Sequence, residues 1–135
     1  SMLVLLDDAG KIASYADVPD IALDLIEVAD KPTTIIYPGA KRLAPNLIAE
    51  DGTIGIRITR EEFTRSLIFR YNKPIVSTSA NISGEPSPHF FGEISEEIKN
   101  AVDYIVDYRR NDHKPAAPSS IIKLGMGGEI QIIRK

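Results

Sequence analysis

Short apolar runs that suit β-strands alternate along this chain with segments that suit helices, and this alternation is the strongest constraint on its fold. The run Leu3–Leu6 predicts a buried strand, and residues 53–58, which alternate isoleucine with small or polar residues, predict a half-buried one. Further strands are predicted over 34–37, 75–76, 104–106, 121–123 and 130–133, and helices over 17–30, 59–72 and 95–100. Alternating strands and helices favour an α/β fold.

The helix predicted after residue 58 carries a start signal and an apolar stripe. It opens with Thr59, followed three residues later by Glu62, which is a capping-box spacing and makes Thr59 the expected N-cap. The apolar side chains of Phe63, Leu67 and Ile68 are expected to face the core.

Composition narrows the functional classes. A chain of 135 residues fits one domain, and the absence of cysteine excludes disulfides and thiolate metal ligands. His89 and His113 lack carboxylates at metal-ligand spacing, so no protein-bound metal is predicted. No apolar run approaches the roughly 20 residues that span a bilayer, so a cytoplasmic protein without membrane contact is expected.

The charge is unevenly distributed. Residues 1–30 hold seven acids and one base, whereas residues 31–75 hold eight bases and four acids, within a net charge of −3. The middle third either attracts an anion or is an ordinary solvated surface, and charge alone leaves both interpretations open. A net-acidic chain is a poor general nucleic-acid binder, because affinity for phosphate backbones comes from clustered cations.

A hydroxyl-rich loop follows the strand predicted at 75–76. Five of the seven residues from 77 to 83 are Ser, Thr or Asn, all of which donate hydrogen bonds without carrying charge. Such a loop after a strand of an α/β sheet suits an anionic ligand. Its composition also fits an ordinary surface turn.

The order of the residues in this loop carries a family resemblance. Ser-Thr-Ser-Ala-Asn-Ile-Ser-Gly-Glu-Pro over residues 77–86 resembles the Ser-Ala-Asn signature of YrdC-like domains, the fold of threonylcarbamoyl-adenylate synthases. Thr-Thr-Ile-Ile-Tyr-Pro at 33–38, Gly-Thr-Ile-Gly-Ile-Arg-Ile at 52–58 and Pro-Ser-Ser-Ile-Ile at 118–122 resemble the family in order and spacing. The resemblance implies a single partial domain over 1–135, of the three-layer α/β type with a twisted mixed sheet.

The resemblance also implies an activity. Enzymes of this type are nucleotidyltransferases that condense L-threonine, bicarbonate and ATP, with Mg, into threonylcarbamoyl-AMP and release pyrophosphate. A partner transferase then moves the threonylcarbamoyl group to tRNA. Two alternatives stay open: a non-catalytic module that binds double-stranded RNA or tRNA, and the YrdC-like section of a larger carbamoyltransferase.

The resemblance assigns residues to two substrate sites and no residue to catalysis. The nucleotide-binding residues that it implies are Ser77, Thr78, Ser79, Asn81 and Arg57. The residues that it implies for threonine and adenylate are Thr34, Thr53, Pro118, Ser119 and Ser120. Fixed hydrogen-bond donors suit this chemistry, because the reaction places negative charge on a phosphoryl group and a carbamate.

The chain departs from the family pattern in one respect. Family members carry an N-terminal segment and a Lys-x-Arg pair that have no counterpart here, so the chain is expected to begin inside the domain. Charge-assisted hydrogen bonds contribute about 1.5–3 kcal/mol each, so two missing cations would weaken ATP binding by roughly 10²–10⁴-fold. The 135 residues alone are therefore expected to bind ATP poorly and to turn over negligibly.

Overall fold

The computed structural model of the chain describes residues 2–135, in which strands and helices alternate for much of the length. The strands are Leu3–Leu6 (β1), Thr33–Tyr37 (β2), Ile54–Ile58 (β3), Ile75–Ser77 (β4), Ser120–Leu124 (β5) and Ile130–Arg134 (β6). The α-helices are Ile21–Val28 (α1), Glu62–Tyr71 (α2) and Glu96–Ala101 (α3). Short 3-10 helices cover Ala9–Ser14, Pro45–Leu47 and Phe91–Glu93.

One mixed sheet joins the six strands in the order β4-β1-β3-β2-β5-β6. The pairs β1–β3 and β2–β5 are parallel, while β1–β4, β2–β3 and β5–β6 are antiparallel. The α/β class with a mixed sheet, predicted from the alternating pattern and the resemblance, is therefore confirmed.

The chain divides into two compact units. Residues 2–77 and 119–135 form the first, which contains the whole sheet, and residues 78–118 form the second, which contains α3. In the first unit, one face of the sheet buries Val4, Ile35 and Ile56 against Ile12 and Ala22 from the segments that follow β1. Since side chains on a strand alternate between faces, the residues next to these in sequence occupy the opposite face.

The second unit has no core of this kind. No residue from 78 to 118 is classed as buried. The ring of Phe91 lies beneath two cations, with Lys99 Nζ 4.6 Å and the Arg110 guanidinium carbon 5.2 Å from its centroid. The Ser95 hydroxyl caps α3 by accepting a hydrogen bond from the Ile98 amide at 3.3 Å. Polar and cation–π contacts therefore add to the partly buried apolar groups of this unit, among which none is fully buried.

Three local predictions were wrong. The N-cap of α2 is Glu61, whose carboxylate accepts from the amides of residues 63 and 64, and Thr59 precedes it in the chain. A carboxylate at a helix start also complements the positive end of the helix dipole, which favours it over a hydroxyl. Of the apolar residues of α2, Ile68 is buried but Phe63 and Leu67 are exposed. Residues 104–106 form no strand.

Candidate functional site

A row of directly paired residues crosses the sheet on the face opposite the core. Leu5 pairs with Arg57, Arg57 with Thr34, Thr34 with Ile121, and Ile121 with Arg134. Directly paired residues on neighbouring strands project to the same side, so Arg57 and the Thr34 hydroxyl share a face. Arg134 lies at a bulge in the β5–β6 pairing, and its guanidinium reaches the Ser119 hydroxyl that is hydrogen-bonded to Thr34, which places it beside the same groups. The sheet therefore gathers two cations and a hydroxyl from three strands.

A buried hydroxyl pair lies within this row. Thr34 Oγ1 and Ser119 Oγ are 3.0 Å apart, and the two residues are 3% and 5% exposed. The Arg134 guanidinium donates to the Ser119 carbonyl oxygen from Nε at 2.8 Å and reaches the Ser119 hydroxyl from Nη2 at 3.5 Å. Arg134 thus fixes the backbone just before β5 and orients the hydroxyl pair.

Arg57 is the electrostatically unusual member of the row. Burial is the main cause that lowers the pKa of its guanidinium, and the positive charge of Arg134 lowers it further. No acidic side chain or hydrogen-bond acceptor in residues 2–135 pairs with it. A half-buried cation beside a second cation is costly unless an anion joins them, so this part of the sheet favours a bound carboxylate or phosphate.

Thr53, immediately before β3, is hydrogen-bonded to Asp51 and not to the polar row. Its hydroxyl donates to Asp51 Oδ1 at 2.6 Å and its amide donates to the same atom at 3.2 Å. Lys123 Nζ lies 2.7 Å from the other Asp51 oxygen. The Lys123 and Thr53 hydrogen bonds together hold the pKa of Asp51 at about 2. Thr53 therefore belongs to an Asp51-centred cluster in this structure.

The other sheet residues that the resemblance implied are Ser77 and Ser120. Ser77 ends β4 and pairs with Leu3, so it projects to the same face as Arg57. Ser120 pairs with Thr33, and its buried hydroxyl has no hydrogen-bond partner among the described residues. Thus Ser119, and not Ser120, is hydrogen-bonded to Thr34.

The remaining predicted residues lie in the second unit. Thr78, Ser79 and Pro118 are exposed. The Asn81 amide nitrogen donates to the carbonyl oxygens of Ile82 at 3.0 Å and Glu85 at 2.9 Å, so the side chain closes its own loop. The Asn81 side-chain oxygen accepts only a long hydrogen bond, from the Ser87 hydroxyl at 3.5 Å.

Residues 2–135 hold no cluster of three or more His, Asp or Glu side chains placed to bind a metal ion. Over the same residues, no helix is both long enough and apolar enough to cross a bilayer.

Arg134 was missed in the sequence. It follows the isoleucine-rich stretch Ile130–Ile133 and is itself followed by Lys135, so it is easily interpreted as a solvated basic side chain. The useful signal was the β5–β6 hairpin around glycines 125, 127 and 128, because antiparallel pairing returns the end of β6 to the start of β5, next to Ser119.

These features define an α/β protein whose mixed sheet carries an anion-attracting polar row on one face. Comparison with known proteins assigns this α/β chain to a family. The sequence model of the Sua5/YciO/YrdC family, described as "Telomere recombination", matches residues 1–135. The chain belongs to this family.

Two relatives give the level of similarity. A candidate threonylcarbamoyl-AMP synthase of Methanocaldococcus jannaschii is 38% identical over 122 residues, which cover 90% of this chain and 56% of the relative. The threonylcarbamoyl-AMP synthase of Pseudoalteromonas translucida is 26% identical over 133 residues, 96% of this chain and 70% of that protein. The chain thus spans little more than half of the first relative.

Solved structures share the fold. Escherichia coli YciO superposes with a TM-score of 0.81 at 21% identity and covers 100% of this chain and 65% of its own. P. abyssi Sua5 complexed with L-threonine superposes with a TM-score of 0.74 at 24% identity and covers 91% of this chain and 36% of its own. At sequence identities of 21% and 24%, these structural similarities establish the fold of this chain and nothing more.

Proposed function

We propose that this chain supplies part of the substrate site of a threonylcarbamoyl-AMP synthase, with the polar row of β2, β3, β5 and β6 as the binding surface for a substrate anion. The observation that carries the proposal is Arg57, a half-buried cation that faces a second cation and has no anionic partner in residues 2–135. The relatives named as such synthases, and the Sua5 structure with L-threonine, support this choice of substrate.

The substrates fit the row chemically. L-Threonine carries a carboxylate, which a guanidinium can bind through two parallel hydrogen bonds. The hydroxyls of Thr34 and Ser119 form a donor–acceptor pair that can exchange partners with the substrate hydroxyl or amine. Gly55, on the strand of Arg57, adds no side chain beside Thr34; a Cβ there would lie 3.4 Å from Thr34 Cγ2. The row therefore keeps space next to its polar groups.

We assign the nucleotide to the hydroxyl-rich loop. In this proposal Ser77, Thr78, Ser79 and Asn81 contact the phosphates of ATP, and Mg²⁺ enters with those phosphates. Threonine and bicarbonate condense to a carbamate with loss of water. The carbamate oxygen attacks the α-phosphorus of ATP, and the bond to pyrophosphate breaks. The product, threonylcarbamoyl-AMP, passes to a tRNA threonylcarbamoyl transferase. Arg57 and Arg134 stabilise negative charge on the bound substrates and take no proton.

The test is threonine binding by the 135-residue chain, measured by calorimetry. Arg57→Met should weaken binding by about 10–100-fold, because a charge-assisted hydrogen bond contributes about 1.5–3 kcal/mol. Arg70→Met is the matched control, since Arg70 is exposed on α2 and makes no ion pair within the described residues. Equal affinities for the two variants would contradict the proposal. Salt-sensitive binding of double-stranded RNA that ignores Arg57 would instead support the RNA-module alternative.

A further inference from the structure

Gly55 lies in the interior of β3, where a glycine weakens the strand and marks a bulge, a bend or a close approach of another group. A bulge is excluded, because β2 and β3 pair in continuous register from Tyr37–Ile54 to Thr34–Arg57. A bend that requires glycine is also excluded, since Gly55 is not among the glycines with a positive φ angle. The close approach of another group to the backbone is the explanation that is left.

A small recess lies above Gly55 on the polar face of the sheet. Apart from its neighbours in the chain, a Cβ built on Gly55 would meet only two described atoms within 4 Å, Thr34 Cγ2 at 3.4 Å and Leu3 Cβ at 3.7 Å. Gly55 is itself only half-buried, so this space is open to solvent. We call the space, with Gly55 as its floor and Leu3 and Thr34 as its walls, the Gly55 recess. It has the size of about one methyl group, and both walls are carbon atoms.

Thr34 joins the recess to the hydroxyl pair. Its hydroxyl is 3.0 Å from the Ser119 hydroxyl, while its methyl carbon is the atom nearest to a Cβ at Gly55. A β-branched side chain has few χ1 rotamers, so a hydrogen bond at one branch fixes the position of the other. A polar place and an apolar place are therefore held side by side on this face.

Arg57 is close enough to bring a ligand to the recess. It follows Gly55 by two residues on the same strand, so both lie on one face and are about 6–7 Å apart along the strand. In the proposed function the Arg57 guanidinium binds the carboxylate of L-threonine. Only the α- and β-carbons separate that carboxylate from the threonine methyl group. A threonine bound at Arg57 is therefore of the right size to reach the space over Gly55.

We propose that Gly55 determines selectivity for threonine over serine, because it leaves the recess that accepts the threonine methyl group. The inference rests on the proposed function, since it requires an amino acid bound at Arg57. Serine offers the same carboxylate, amine and hydroxyl but has no methyl group to fill the recess. One methyl group in an apolar pocket changes affinity by about 10–200-fold, and a recess open to solvent belongs at the lower end, about tenfold.

Calorimetric titration with L-threonine, L-serine and L-allo-threonine tests the proposal. L-allo-Threonine has the methyl group and the hydroxyl exchanged at the β-carbon, so it cannot place both as threonine does. The unsubstituted chain should bind threonine about tenfold more tightly than either of the other two. Gly55→Ala puts a methyl group in the recess, so it should weaken threonine binding about tenfold and change serine binding by less than about twofold.

Gly10→Ala is the matched control. Gly10 lies in the 3-10 helix after β1, and a Cβ there would also make only ordinary contacts, the nearest at 3.5 Å from Asp8 Oδ1. This variant should keep the preference for threonine over serine. Unchanged serine binding by Gly55→Ala would show that this variant is folded, as the 3.4 Å contact with Thr34 leads us to expect.

The outcomes separate this proposal from the proposed function. Equal affinities of the unsubstituted chain for threonine and serine would refute the role of Gly55, as would a Gly55→Ala variant that weakens both by the same factor. Binding that still depends on Arg57 would leave the proposed function standing in both cases. If neither amino acid binds, or if Arg57→Met leaves binding unchanged, the proposed function is wrong and the role of Gly55 is refuted with it.

Discussion

The hydroxyl pair of Thr34 and Ser119 makes a quantitative prediction about stability. Both hydroxyls are buried and 3.0 Å apart, so removing one leaves the other without its partner. Leaving a buried polar group unsatisfied costs about 1–3 kcal/mol. The two single variants should differ, because among the described residues only the Ser119 hydroxyl has a second group within reach, Arg134 Nη2 at 3.5 Å.

The expected values follow from that asymmetry. Thr34→Val should lower the free energy of unfolding by about 1 kcal/mol, since Ser119 keeps a weak contact with Arg134. Ser119→Ala leaves the Thr34 hydroxyl without a hydrogen-bond partner and should lower the free energy of unfolding by about 2 kcal/mol. The double variant should cost little more than Ser119→Ala alone, which corresponds to a coupling of about 1 kcal/mol.

Urea unfolding of the four chains measures these differences, with Thr33→Val as the matched control. Thr33 is the same residue type on the same strand, but its hydroxyl bonds the Lys31 carbonyl oxygen at the surface. That control should change stability by less than about 0.5 kcal/mol. A coupling near zero, or a larger loss for Thr34→Val than for Ser119→Ala, would refute the reasoning about Arg134.

Two further predictions concern acid stability and local opening. Lys123 and Thr53 hold the folded-state pKa of Asp51 at about 2, below its ordinary value of 3.8. The Asp51 interactions therefore contribute their full stability above pH 3.8 and lose it as the pH falls towards 2. In a series of melting temperatures measured against pH, Asp51→Asn should reduce the fall in melting temperature at acid pH. An unchanged fall would contradict this assignment. Residues 78–118 have no buried side chain, so their amide hydrogens should exchange with solvent faster than those of β2 and β3 in the free chain. Equal protection from exchange would contradict this expectation, because it would mean that these residues open only when the sheet does.

Much of the sheet could be predicted because its strands carry strong local patterns. Leu3–Leu6 is wholly apolar, and the isoleucines of Ile54–Ile58 alternate with Gly55 and Arg57. The predicted period therefore agrees with the structure, although the second strand begins one residue later than predicted. The start of α2 was misplaced because two acceptors compete there. Thr59 has the spacing of a capping box, but the Glu61 carboxylate reaches the amides of residues 63 and 64 instead.

The polar row was predictable only in part. Thr34, Arg57 and Ser119 were found through the family resemblance, and the structure places them together on one sheet face. Arg134 was missed because its importance depends on which strands are neighbours, and strand order is set by long-range pairing. The assignment of phosphate contacts to Ser79 and Asn81 stays a prediction.

The strand predicted at 104–106 shows why local pattern and observed structure can differ without either being inconsistent with the physics. β-Propensity measures how well a side chain fits a pleated, half-buried surface, and a strand exists only when a neighbour accepts its hydrogen bonds. Residues 104–106 have the propensity, but no neighbour pairs with them among the described residues. The exposed Tyr104 ring and the unpaired N–H groups both follow from the lack of a neighbouring strand. The strand prediction at 104–106 therefore failed because the segment lacks a neighbouring strand among the described residues, and not because it lacks propensity.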